Sequence, residues 1–232
     1  HYEEATRRIG LWASEELVFR KCFPNNKEEI LELGCGVGRI SFSLWMLGYE
    51  NLTASDVSKK MVMRALKIQK ERSSKIHFLP ADATQLSFET NSFGGVIFGF
   101  NGLMQIPHRE NRKKAILECF RVLRPNGKFV FTSHDRSLPK WKKFWDNERK
   151  KWRIGSQEKE LLEFGDRYGD TPNGKLFIHV PDTSDIRKDL KDVGFLLERD
   201  VLRSRLADES QIVKDFSDEC RFWIARKPEP KT

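Results

Sequence analysis

Four cysteines, Cys22, Cys35, Cys119 and Cys220, stand far apart in the 232 residues, and no two form a Cys-x-x-C pair. With no histidine cluster beside them, that spacing argues against metal binding and fits a reducing, cytoplasmic setting. No apolar run reaches the length that crosses a bilayer, so no membrane partner is expected. No secretory signal is visible at the start. The chain begins at His1, so the natural N-terminus is expected upstream. Internal repeats and low-complexity tracts are also missing.

What is present fits a folded enzyme-sized chain. Hydrophobic residues make up 38% and aromatics 11% of the sequence. The length suits one sizeable core. Net charge is 42 − 34 = +8. That balance permits contact with nucleic acid or anionic substrates without requiring either.

The stretch Ile30-Leu31-Glu32-Leu33-Gly34-Cys35-Gly36-Val37-Gly38-Arg39 is an apolar run with one acid, then a glycine turn. An amphipathic segment, Ile40 to Gly48, follows, and the whole reads as strand, loop and helix. Such a loop lets a ligand lie against free N–H groups at a helix start. A dinucleotide loop reads G-x-G-x-x-G and packs its third small residue on the strand. Here the third glycine comes one position early and Arg39 occupies the small-residue place. Glu32 lies two residues before the first glycine, where a carboxylate suits an ammonium group.

Four more strands follow by pattern. Asn51 to Val57 is short and contains Asp56, an acid able to accept both hydroxyls of a ribose. The helix Ser58 to Arg72 follows, with Ser58 as its cap. Lys75 to Leu79 leads into Pro80-Ala81-Asp82-Ala83, where Asp82 either caps a helix or meets a ligand. Gly95 to Phe100 is fully apolar, as a buried parallel strand should be. Asn101-Gly102-Leu103-Met104 lies at its carboxyl end. A helix over 107–124 and the turn Pro125-Asn126-Gly127 precede the fifth strand, Lys128 to Thr132.

Residues 136 to 181 look like an insertion, basic and tryptophan-rich in its first half and strand-like over Lys175 to Val180. A helix from Asp182 to Val193 ends at Gly194. Phe195 to Leu202 and Arg221 to Arg226 read as the last two strands. Residues 3 to 23 read as amphipathic helix, in which Trp12 packs on the core or covers a pocket.

The run apolar-apolar-Glu-apolar-Gly-x-Gly-x-Gly resembles motif I of the class I S-adenosylmethionine (SAM) methyltransferases. Asp56-Val57-Ser58-Lys59-Lys60-Met61 resembles that family's D-x-S-x-x-M signature. Leu123-Arg124-Pro125-Asn126-Gly127 is similar to its L-[KR]-P-G-G turn. The family's usual Asp before the fourth strand is replaced by Gly94-Gly95, so no role is carried there.

The resemblance implies an α/β fold: a doubly wound, mostly parallel seven-stranded sheet of Rossmann-like methyltransferase type, with an insertion after the fifth strand. It implies one domain over residues 1–232, with an N-terminal helical cap at 1–27 and a substrate lid at 136–181. The cofactor would be SAM. Its site would take Glu32, Gly34, Cys35, Gly36, Gly38 and Arg39 from the loop, Asp56, Val57 and Met61 from the second strand and helix, Asp82 and Ala83 after the third strand, and Phe100, Asn101 and Met104 after the fourth.

The expected reaction is methyl transfer to an O or N atom of a small molecule, with RNA or protein as the weaker alternative. Position 98–101 reads Phe-Gly-Phe-Asn rather than the [DN]-P-P-[YF] of exocyclic-amine enzymes. His134, Tyr168 and His179 could each orient or deprotonate an acceptor, and none is assigned a catalytic role. No metal site is expected.

Overall fold

The computed structural model describes residues 9–171 and 174–230. The expected helical pattern upstream of residue 9 lies outside them. Helix α1 (Ala13–Cys22) precedes strand β1 (Ile30–Leu33), whose four residues are all buried. The glycine loop joins β1 to α2 (Arg39–Met46). Then come β2 (Leu52–Asp56), α3 (Lys59–Arg72), β3 (His77–Pro80) and β4 (Phe93–Phe98). Ser58 caps α3, its Oγ accepting from the Met61 N–H at 3.4 Å.

Helix α4 (Arg109–Val122) runs directly into β5 (Leu123–Ser133). This strand starts earlier than its hydrophobic pattern predicts. Phe93 pairs with Leu123 and Gly95 with Lys128, so the expected turn survives as a wide bulge around Asn126, at φ 66. Helix α5 (Lys142–Arg153) and an antiparallel hairpin, β6 (Asp166–Thr171) and β7 (Gly174–His179), fill the insertion. Helix α6 (Thr183–Val193) is capped by Asp182 and ends at Gly194 in the left-handed conformation. The chain closes with β8 (Leu196–Leu202), the short helix α7 (Gln211–Phe216) and β9 (Arg221–Arg226). The sequence pattern missed β6 and α7, which are short and polar.

Seven strands form one sheet in the order β3-β2-β1-β4-β5-β9-β8. All neighbours are parallel except around β9, which runs antiparallel to both β5 and β8. The chain winds outward from β1 to β3, then returns to place β4 on the other side of β1. This is a topological switch point, and a crevice opens there beyond the strand ends.

Both sheet faces are covered. Phe19, Phe42 and Ile97 pack in one layer, and Leu31, Val96, Phe129 and Trp223 in the other. This packing demands Gly95, while at Gly94 the neighbour is the movable Glu28 side chain. A Cβ on Gly94 would lie 1.8 Å from Glu28, and one on Gly95 would lie 2.4 Å from the Phe23 ring. No helix among the described residues is long and apolar enough to cross a membrane.

Candidate active site

A cavity of about 550 Å³ occupies the switch point. Its floor is the loop from β1 to α2. Gly36 takes a positive φ of 56°, and nothing lies within 4 Å of where its Cβ would project. Its N–H instead donates to Asp56 Oδ2 at 2.8 Å, which ties the loop to the end of β2. Gly38 serves packing: a Cβ there would meet the Phe42 ring at 2.8 Å and Phe78 at 3.0 Å. It does not line the cavity.

Three acids reach the lining, each from the end of a different strand. Glu32, on β1, is buried and accepts a hydrogen bond from Ser41 Oγ. Burial pushes its carboxyl up to about 7, against the pull of Ser41 and Arg39. Asp56 accepts from the N–H groups of Gly36 and Ser58, both at 2.8 Å. A carboxylate has lone pairs beyond these two, so it retains capacity for a ligand. Asp82 accepts from the N–H and hydroxyl of Thr84 at 2.8 Å, a local turn rather than a helix cap.

Arg39 also touches the cavity, but its guanidinium is committed elsewhere. It makes two bonds of 2.6 Å to Glu15 and one of 2.7 Å to the Gly10 carbonyl. Trp12 lies buried between Arg39 and Arg203, each 5.0 Å from a ring centroid, and meets Phe100 edge-on. Of the two readings of Trp12, the structure shows core packing; it is not part of the lining. The first orphan N–H groups of α1 are capped from far away: Glu209 accepts from Ala13 and Ser14 at 2.9 and 3.0 Å. Such groups need partners when buried.

The remaining residues divide. Gly34, Cys35, Val57, Met61, Ala83 and Phe100 line the cavity. Asn101 and Met104 do not. Asn101, at φ 59, is buried and turned toward β5, its backbone N–H donating to the Thr132 hydroxyl oxygen at 2.8 Å. Met104 faces a second, small cavity of about 20 Å³ beside Arg112, Glu163 and His179.

Further lining comes from residues that the sequence did not single out. Gln105, Ile106, Pro107 and Asn111 come from the segment before and within α4, Leu176 from β7 and Phe216 from α7. Phe216 had a usable signal, since Ser210 stands at the N-cap of its helix.

None of the three residues suspected of proton chemistry lines the cavity. His134 Nδ1 faces the Glu219 carbonyl at 3.2 Å and Nε2 faces Asn101 Nδ2 at 3.3 Å. A carbonyl only accepts, so Nδ1 carries the proton and Nε2 accepts from Asn101. Burial holds the His134 pKa below its ordinary value. His179 is buried against Asp166, Nδ1 to Oδ1 2.8 Å. Glu163, Asp166 and His179 form the cluster whose geometry could hold a cation, but Arg112 already donates to Glu163. Tyr168 sits exposed on β6.

The described lining therefore combines three acids and a glycine loop with uncharged residues from the segment before α4, from β7 and from α7. Residues 30–127 match the model of a family described as "Methyltransferase domain". Residues 30–127 are a class I SAM-dependent methyltransferase domain. This domain uses SAM as cofactor.

Relatives of the methyltransferase domain include the ubiquinone/menaquinone biosynthesis C-methyltransferase UbiE of Rickettsia felis, 32% identical over 127 residues, covering 52% of this chain and 48% of that protein. A demethylmenaquinone methyltransferase of Leptospira interrogans is 38% identical over 105 residues, covering 44% and 41%. The chain thus spans about half the length of the curated relatives it matches.

Among solved structures, a SAM-dependent methyltransferase of Methanosarcina mazei aligns over 95% of this chain and 100% of its own, with a TM-score of 0.74 at 21% identity. Magnesium protoporphyrin IX methyltransferase of Synechocystis, solved with bound S-adenosylhomocysteine (SAH), covers 97% and 83% with a TM-score of 0.60 at 19% identity. At these identities the likeness is one of fold.

Proposed function

We propose that this chain transfers a methyl group from SAM to a small-molecule acceptor. The single observation that carries the reading is the composition of one cavity: Glu32, Asp56 and Asp82 with a glycine loop, together with uncharged residues from the segment before α4, from β7 and from α7. The acids fit the three parts of SAM. Glu32 would accept from its ammonium group, Asp56 from the ribose hydroxyls, and Asp82 with the Ala83 N–H would meet the adenine. The open space at Gly36 leaves room for the methionyl chain.

SAM supplies a sulfonium-activated methyl group. The chain's own residues then have to align the acceptor and keep water out. Phe98, Phe100, Ile106, Pro107, Leu176 and Phe216 provide that dry wall. Among the described lining residues, Gln105, Ile106, Pro107, Asn111, Leu176 and Phe216 carry no titratable side chain. That favours an acceptor that is a nucleophile in its own right, such as an amine, a phenolate oxygen or the activated carbon of an electron-rich ring. The C-methyltransferases among the relatives support adding carbon to the O and N atoms expected from sequence.

The residues after β5 would act as a substrate lid, since Leu176 brings β7 to the cavity wall. RNA is the weaker acceptor, because among the described lining residues the one cation, Arg39, is already paired with Glu15. The reading is tested in two steps. Calorimetry should show SAM and SAH binding, with NADH giving no heat. A screen of aromatic metabolites, amines and total RNA with methyl-labelled SAM should then label a small molecule. Absence of SAM binding by the folded protein overturns the proposal.

A further inference from the structure

The charge of this protein is concentrated in one place. Residues 138–162 carry Lys140, Lys142, Lys143, Arg149, Lys150, Lys151, Arg153 and Lys159 against Asp146, Glu148, Glu158 and Glu160, a net +4 of the chain's +8. The same region exposes apolar side chains that a solvated helix would bury. Trp141 is 41% exposed, Phe144 37%, Ile154 77% and Leu162 66%. Of the fourteen large hydrophobic residues found exposed among the described residues, six lie between 141 and 176.

This surface is tied to the cavity mouth. Arg167 of β6 lies over the Phe144 ring at 5.0 Å. In the hairpin register Arg167 pairs with Ile178 and Gly169 with Leu176. Side chains alternate along a strand, so Arg167 and Leu176 share one hairpin face. Leu176 is itself 37% exposed and lines the cavity. Helix α5 and the cavity rim thus meet on one side of one hairpin.

We propose that α5 and its flanking residues form a docking surface for an anionic phospholipid bilayer, bound peripherally. A helix with Lys and Arg on one side and Trp, Phe and aliphatic residues beside them is suited to lie in the headgroup plane. Each cation near an anionic leaflet adds attraction worth about fivefold in partition, and seven stand within seventeen residues. Such contact differs from a span, and needs none of the length that the sequence lacks.

Nucleic acid fits this surface less well. Bases stack on aromatic rings but have no use for exposed Ile154 and Leu162. Among the described residues lining the adjoining cavity, the one cation, Arg39, is already paired with Glu15. An apolar acceptor partitions into bilayers, so a surface beside the cavity would shorten its path. That last point rests on the methyltransferase reading; the charge and exposure argument does not.

Co-sedimentation of the intact chain with phosphatidylcholine vesicles, with and without phosphatidylglycerol, tests the proposal. SAM affinity is measured on the same samples by calorimetry, so loss of the methyltransferase reading would show separately. Binding is expected to anionic vesicles and to fall with salt. A triple variant, Lys142→Glu, Lys143→Glu and Lys150→Glu, should weaken it by roughly tenfold or more. Trp141→Ala with Ile154→Ser should weaken it as well, with thermal melting and SAM affinity unchanged in both variants. Equal binding to neutral and anionic vesicles, or a triple variant that binds like the parent, overturns the proposal. So does tighter binding to total RNA than to anionic vesicles at the same ionic strength.

Discussion

Arg39 and Glu15 form a buried two-pronged ion pair, Nη1–Oε2 and Nη2–Oε1 both 2.6 Å, that joins α1 to the first residue of α2. Burial works against the guanidinium charge, and Glu15 more than offsets it, so the Arg39 pKa is held above its ordinary value. The pair explains why an arginine stands where a dinucleotide loop would need a small residue. The helix behind the glycine loop is fastened through it to the segment that precedes the sheet.

Removing one partner should therefore destabilise strongly. Glu15→Gln leaves a buried cation short of its counter-charge, a change of about 3–5 kcal/mol in comparable pairs. At this size that corresponds to a fall in melting temperature of roughly 10 °C. The double variant Glu15→Leu with Arg39→Met should melt above either single variant. Calorimetric melting of all three checks this; additive losses would sink it.

Asp56→Ala should lower SAM affinity while leaving a folded protein. Charge-assisted hydrogen bonds are worth about 1.5–3 kcal/mol each, so one lost bond weakens binding by at least about tenfold. The loss should exceed that, because Asp56 also holds the Gly36 N–H of the loop. Titration calorimetry decides it, and wild-type affinity in the variant would show that Asp56 does not meet the ribose.

SAM affinity should depend on pH through Glu32. Its carboxyl is raised by burial to about 7, so at lower pH it is neutral and offers little to an ammonium group. Affinity should rise as pH climbs through 7, then fall above about 8 as an α-amino group loses its proton. The free protein shows the opposite trend at this site. A raised carboxyl pKa contributes stability that is full below the unfolded value and is lost as pH rises through the folded one. Glu32→Gln should flatten the acid limb of the binding profile, and a parent profile flat between pH 5.5 and 7.5 would contradict the assignment.

Arg112 should matter to the acceptor and not to the cofactor. It donates to the Ile106 carbonyl at 3.2 Å, and to Glu163 at the edge of the hairpin. Arg112→Met frees both, so the segment before α4 and the residues leading into β6 lose a shared anchor. We expect lower thermal stability, a raised KM for the acceptor and a SAM affinity within about threefold of the parent, with partial rescue by Arg112→Lys. A variant with unchanged KM and weaker SAM binding would refute this.

Much of this protein was fixed by spacing along the chain. Glu32, Asp56 and Asp82 lie at or just beyond the ends of β1, β2 and β3, because strand and helix periods are local and set where each strand must stop. Parallel winding then brings those ends together, so the shared placement of these three acids at one cavity was legible from strand spacing. The turn at Gly34, Gly36 and Gly38 was legible for the same reason, as was the helix ended by Gly194.

What closes the cavity was decided only by packing between distant segments. Leu176 and Phe216 reach it from parts of the chain well over a hundred residues beyond the glycine loop, and Glu209 caps a helix 195 residues before it. Arg39 had the right place to meet a ligand, but Glu15 lies within reach of it in the folded chain. Met104 had the right sequence position too, and the turn at Gly102–Gln105 aims it at the other cavity. Side-chain direction at a loop and the partner of a buried charge depend on which elements pack around them, and no local period carries that information.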